Sequence, residues 1–135
     1  MTFSAIPGET LLIPTPNRND PNGARKHLNI IITDIDPVTG TVIIVGIESY
    51  WRGCDTTTVI RQGEHPSITH KTSVNYAKAR IVEVTRLLDL VKNRFAIPQD
   101  PCSEELFKRI KSGIRRSPRT PNKIRERFVD DEWPF

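Results

Sequence analysis

Two apolar runs, HLNIIITDI at residues 27–35 and TVIIVGIESY at 41–50, stand on either side of the pentapeptide DPVTG. Ile and Val at this density favour extended chain, because branching at Cβ narrows χ1 and suits a pleated surface. The Pro and Gly between the runs supply a tight connection. The pair therefore reads as an antiparallel hairpin. Each run is almost continuously apolar at its middle, which predicts burial on both faces and a place at the centre of a curled or covered sheet.

Shorter signals surround this hairpin. Residues 9–14 form a brief apolar run, and TPNRNDPNG at 15–23 is dense in loop residues. WRGCD reads as a loop, TTTVIR at 56–61 as a further strand and QGEHP as a turn; 73–76 and 79–84 are expected to close the sheet, with a bend around Lys78. Thr85 is placed to cap a helix carrying Leu87, Leu88, Val91 and Phe95 on one face, stopped by Pro98. A second helix should start at Ser103, with Glu104 and Glu105 in its first turn and Leu106, Phe107, Ile110 and Ile114 as its apolar stripe; Gly113 weakens its end. Thr120 and Pro121 read as the cap and first residue of a short third helix with Ile124 and Phe128 inward, and RRSPRTP before it reads as a flexible joint. The fold expected is mainly β with C-terminal helices. Residues 1–100 would form the β domain and 101–135 a basic helical extension of the same structural unit.

A chain of 135 residues suits one domain with a core that needs no staples. No apolar run is long enough to span a bilayer, and MTFSAIPGET lacks the charged-then-apolar pattern of a secretory leader, so the expected location is the cytoplasm. Cys54 and Cys102 are then expected as free thiols. Charge is unevenly spread. Between positions 108 and 127 nine Lys or Arg face one acid, Glu126, so that a chain of net charge +4 carries +8 there and −4 elsewhere. Such a patch is a footprint for phosphate backbones, acidic proteins or anionic membranes, and equally the composition of a solvated helix face. Lys26, Arg109, Arg115, Arg116, Arg119 and Lys123 are the candidate nucleic-acid contacts.

In order, GETLLIP, a Pro- and Asn-rich loop, GARKHLNIIITD, TVIIVGIES and TTTVIRQGEHPSITHKTSVNYAKARIVEVTRLL resemble the MazF/PemK family of toxins over about residues 7 to 95. The resemblance implies a small Src-homology-3-like β-barrel, dimeric, acting as a metal-independent endoribonuclease on single-stranded RNA and neutralised by an antitoxin protein. It also implies a basic residue before the second apolar strand, usually Arg followed by Pro. Arg-Lys-His stands there instead, with His27 the match by strand spacing and Arg25 the alternative. The family's second active residue, a Thr or Ser ending the next strand, corresponds to Ser49, after Glu48.

Cutting RNA without metal requires a base for the 2′-hydroxyl proton, an acid for the leaving oxygen and donors or cations for the charged phosphorane. Histidine ordinarily changes charge between pH 5 and 8 and serves either proton-transfer role. His27 with His65 or His70 would suffice, with Arg25 or Lys26 steadying the phosphate, Ser49 bonding it and Glu48 orienting a histidine or acting as base. Each has a plainer reading. His27 also suits packing at a barrel rim, His65 before Pro66 suits a structural hydrogen bond in a turn, His70 stands no differently, and Glu48 with Ser49 suits simple termination of a strand. Tyr50, Trp51 and Tyr76 suit base stacking or ordinary sheet packing. The spacing of His27, Cys54, His65 and His70 matches no zinc pattern, no phosphate-cradling Gly-rich loop is present, and no cofactor is expected. Two other functions stay open: a non-catalytic nucleic-acid- or protein-binding module using the basic helices, and a topoisomerase-inhibiting toxin.

Overall fold

The computed structural model describes residues 3–14 and 25–132. Its chain order is β1 (Thr10–Pro14), β2 (Lys26–Ile31), β3 (Thr41–Ser49), β4 (Val59–Ile60), β5 (Thr72–Glu83), α1 (Val84–Lys92), β6 (Ile97–Gln99), α2 (Glu104–Arg116) and α3 (Asn122–Glu132). The strands make one six-stranded antiparallel sheet, ordered β4-β5-β3-β2-β1-β6 and curled into a half-barrel. The mainly β architecture with C-terminal helices is the one expected from the sequence.

The β2–β3 hairpin closes as its composition dictates. Asp36 Oδ1 accepts the N–H groups of Val38 and Thr39, its carbonyl accepts Gly40 N–H at 2.7 Å, and Gly40 takes a positive φ of 69°. An L side chain there would be strained.

Both faces of the hairpin are covered, and alternation in β3 sorts its residues between two cores. Ile43, Val45 and Ile47 join Leu28, Ile30, Val74 and Tyr76 beneath Leu106, Ile110, Ile114, Ile124 and Phe128 of α2 and α3. Val42 and Ile44 join Leu11, Ile13 and Ile31 on the other face, beneath Leu87 of α1. Each fully buried Ile contributes about 1.5–3 kcal/mol of transfer free energy. A polar residue at Ile43, which is wholly buried, would remove that contribution and strand a polar group in a dry core.

The curl originates in β5. Its register against β3 jumps between Ile44 opposite Arg80 and Gly46 opposite Asn75, so that Val45 faces residues 76–79. The extra residues bend the strand, as bulges do, and the two closing strands expected from the sequence are the two halves of β5. TTTVIR contributes only Val59 and Ile60 to the sheet, as a short edge strand.

The helices differ from expectation mainly at their ends. Glu83, with no side-chain cap bond, precedes α1, and Thr85 lies inside it. The helix ends at Lys92 and turns through Arg94 at φ 61°, well before Pro98. Phe95 is outside it and exposed, and Pro98 sits in the edge strand β6, where a missing N–H is tolerated. Ser103 caps α2 by accepting Leu106 N–H at 3.1 Å, as its position before two acids predicts. Pro121 caps α3 through its carbonyl, which accepts Ile124 and Arg125 N–H, while the buried Thr120 hydroxyl makes no hydrogen bond. The joint between α2 and α3 is pinned: Ser117 is fully buried and donates to Asp55 Oδ2 at 2.5 Å. Cys54 and Cys102 are free thiols, and no helix among the described residues is long and apolar enough to cross a membrane.

Candidate functional site at the end of β3

The polar end of β3 meets the start of β5, where Ser49 pairs with Thr72 and Glu48 with Ser73. One further bond, Tyr50 N–H to the Lys71 carbonyl at 3.1 Å, extends the ladder past the strand ends. That register brings the segment before β5 against the end of β3. His70 Nε2 lies 2.7 Å from Ser49 Oγ, both residues exposed, and His70 Nδ1 lies 3.4 Å from Thr69 Oγ1. Glu48 Oε1 accepts Trp51 Nε1–H at 2.8 Å, and Lys71 Nζ stands 3.9 Å over the Tyr50 ring.

The loop carrying His70 is fixed by His65. This ring is 2 % exposed, accepts Ser67 N–H on Nδ1 and meets the Asp100 carbonyl through Nε2. The carbonyl requires a proton on Nε2 and the amide requires a lone pair on Nδ1, so the ring is the neutral Nε2–H tautomer. Ser67 adds a bond to Gln99 Oε1 at 2.8 Å, and Gly63 N–H bonds the Ile68 carbonyl. With both nitrogens engaged inside the fold, His65 holds the loop and has no face left for a substrate. Of the two turn histidines, only His70 is exposed.

His27 is half-buried on β2, opposite Ile13 of β1. The β2–β3 ladder runs from Ile31 opposite Ile44 to Asn29 opposite Gly46; continued for two residues, it sets His27 level with Glu48. Arg25 and Lys26 are exposed where β2 begins. The strand end thus carries Glu48, Ser49, Tyr50, His70 and Lys71, with His27 on the adjacent strand, on the face of Glu48 and not of Ser49.

The basic C-terminal residues divide by task. Arg109 binds Glu64 and donates to the Val59 carbonyl at 2.7 Å, Arg119 donates to the Gly53 carbonyl at 3.0 Å, and Arg127 donates to the Thr41 carbonyl at 2.9 Å. These guanidinium groups tie the helices to the β domain, Arg109 and Arg119 of the expected nucleic-acid contacts among them. Lys108, Lys111, Arg115 and Arg116 instead line a groove of about 380 Å³ with Phe128, Arg115 lying 5.2 Å from the ring centroid. Lys123 is exposed on α3.

Comparison with protein-family models, with curated proteins and with solved structures yields no match. The chemistry of the strand end therefore rests on its own geometry. Sequence reasoning selected Ser49 and His70 but missed their direct pairing and the part of Lys71. The missing signal was the β3–β5 register, which sets Ser49 opposite Thr72 and so beside the end of the His70 loop.

Proposed function

We propose that this chain is a metal-independent endoribonuclease acting on single-stranded RNA, on a barrel of the Src-homology-3-like MazF/PemK type and within a toxin–antitoxin pair. The observation that carries the reading is the 2.7 Å contact between Ser49 Oγ and His70 Nε2 on an exposed strand end beside Lys71. A seryl hydroxyl against an imidazole is also the start of an acyl-transfer triad, but there a carboxylate orients the ring; here the group beside His70 Nδ1 is the Thr69 hydroxyl.

In this reading the incoming RNA displaces the Ser49 hydroxyl from His70 Nε2, which then accepts the proton of the 2′-hydroxyl. The 2′-oxygen then bonds to phosphorus as the bond to the 5′-oxygen breaks, and the leaving oxygen takes a proton from solvent; His27, which shares the opposite face of the sheet with Ile13, takes no part in this step. The products are a 2′,3′-cyclic phosphate and a 5′-hydroxyl. Ser49, its hydroxyl freed from His70, donates to a non-bridging oxygen and stabilises the charge that builds on the phosphorane. Glu48, engaged with the Trp51 indole, shapes the rim.

The test is incubation of mixed-sequence single-stranded RNA with the protein in excess chelator, followed by analysis of the new ends. Cyclic phosphate and 5′-hydroxyl ends, lost when the nucleotide at the cut is 2′-deoxy, are the expected products. RNA left intact across diverse sequences sinks the proposal. A second reading, a binding module without catalysis, is favoured by the groove of Lys108, Lys111, Arg115 and Arg116 around Phe128, and intact RNA with salt-sensitive binding would select it.

A further inference from the structure

Beside the Ser49 and His70 pair, the β4 edge of the sheet holds an open depression of about 650 Å³ lined by Val59, Arg61, Glu64, Lys71 and Arg109. Three cations and one carboxylate share this lining, and the carboxylate is committed. Glu64 receives the Arg109 guanidinium and accepts the Arg61 backbone N–H at 2.8 Å. Burial pushes its carboxyl up, but those two donors outweigh burial and hold it below the usual carboxylate range, so it stays ionised. Arg109 is anchored further by the Val59 carbonyl. Two cations, Arg61 and Lys71, remain in excess.

Their placement follows from strand register. Ile60 pairs with Thr72, so Arg61 and Lys71 stand opposite each other one step beyond the paired residues. Lys71 in turn is set beside Tyr50 by the backbone bond between them. Tyr50, Lys71 and Arg61 thus form one row across β3, β5 and β4, with strands about 4.8 Å apart. The Lys71 ammonium is held 3.9 Å over the Tyr50 ring, which restricts an otherwise mobile side chain. Arg61 is exposed; its charge helps hold Glu64 ionised, and among the described residues its guanidinium makes no hydrogen bond or salt bridge. Two like charges side by side, one of them positioned, with the local carboxylate already paired, make a receptor for an anion that bridges them.

We propose that this depression is a second phosphate subsite, holding the phosphodiester next along the strand from the one placed at Ser49 and His70. The ligand class, a single-stranded nucleic acid, rests on the ribonuclease reading; the subsite itself rests on the charge balance and register of the β4 edge. Lys71 follows His70 directly, and in extended chain the two side chains leave opposite faces, so a strand that rounds the end of the β3–β5 ladder presents neighbouring phosphates to the two positions. The substrate unit recognised is then a segment with at least two phosphates, Tyr50 acting as the positioning residue for Lys71.

The experiment is equilibrium binding of a fluorescein-labelled thymidine octadeoxynucleotide, which has no 2′-hydroxyl to react, measured by anisotropy at several salt concentrations. Arg61→Gln and Lys71→Gln should each weaken binding roughly fivefold or more and lower the salt slope by about 0.7. Lys71→Arg and Tyr50→Phe should bind as the parent does, and Tyr50→Ala should weaken binding. Lys92→Gln on α1 should change nothing, and circular dichroism checks that every variant is folded. Parental affinity and slope in both Gln variants overturn the subsite, as does an equal loss in Lys92→Gln, which would mean diffuse attraction. Cleavage is scored separately on RNA: uncut RNA with these losses intact removes the ribonuclease and keeps the subsite, while cut RNA without them does the reverse.

Discussion

A Cβ built on Gly113 would stand 1.8 Å from the hydroxyl of Tyr76. That hydroxyl donates to the Ile110 carbonyl at 2.8 Å and shares a 2.7 Å bond with Thr58 Oγ1, so a buried polar knot docks α2 on β5 through the one turn of helix that lacks a side chain. Desolvation pushes the phenol up to about 12, and it remains a neutral donor at all ordinary pH.

Gly113→Ala, which would stabilise an isolated helix, should therefore destabilise this protein by more than about 3 kcal/mol, since overpacking and two displaced hydrogen bonds add. Tyr76→Phe should cost about 1–2 kcal/mol through the lost bonds alone. Urea denaturation of the two variants checks both. A Gly113→Ala variant as stable as the parent would show that α2 is not seated on Tyr76.

Asp55 ties the turn after β3 to the joint between α2 and α3. Burial pushes its carboxyl up, but the Ser117 hydroxyl and the Thr57 hydroxyl and N–H outweigh burial and hold it below the usual range. A depressed carboxyl contributes stability that is complete above the ordinary aspartate value of about 3.9 and is lost as pH falls through the folded value. Ser117→Ala should cost about 1–3 kcal/mol near pH 7 and flatten the acid limb of Tm against pH below about 4. A limb of unchanged steepness would assign acid sensitivity elsewhere, Glu64 being the next candidate by the direction of its shift.

His65→Ala should act on stability first. It leaves the Ser67 N–H and the Asp100 carbonyl without their partner, at about 1–3 kcal/mol for each group left unsatisfied. The loop carrying His70 should loosen, lowering cleavage while leaving the shape of its pH dependence unchanged. A pH profile altered by His65→Ala in a protein of parental stability would give this ring a direct part in the chemistry.

The elements read most securely were those whose cause is local. Density of Ile and Val marked β2 and β3, Pro with Gly marked their turn, and Ser103 before two acids marked the start of α2. What escaped depends on partners distant in sequence. Gly113 looked like a weak helix end because Tyr76, its reason for being small, lies across the fold. RRSPRTP looked flexible because the Asp55 that holds Ser117 is 62 residues away. At the site, Ser49 and His70 were both identifiable as chemistry-bearing residues, but only the β3–β5 register places them in contact, and the same register sets Lys71 beside Tyr50. His65 and His70 looked alike in sequence and differ entirely in burial.

Neutralising Arg115 and Arg116 together to Gln should weaken RNA binding and reduce its salt slope, since these exposed residues line the groove around Phe128. At saturating protein the cleavage rate should hold, because the groove is built on α2 and α3 and the proposed reacting pair on the β3 end. A rate that falls at saturation would place the basic helices in the reacting complex.

Single-turnover cleavage of one RNA by the parent, Ser49→Ala, His70→Ala and the double variant, all in chelator, tests the central claim most directly. Two residues acting as one hydrogen-bonded unit should each cost about 10²- to 10⁴-fold, with the double variant close to the worse single one. Cleavage at the parental rate in both single variants would contradict a reacting site at the end of β3.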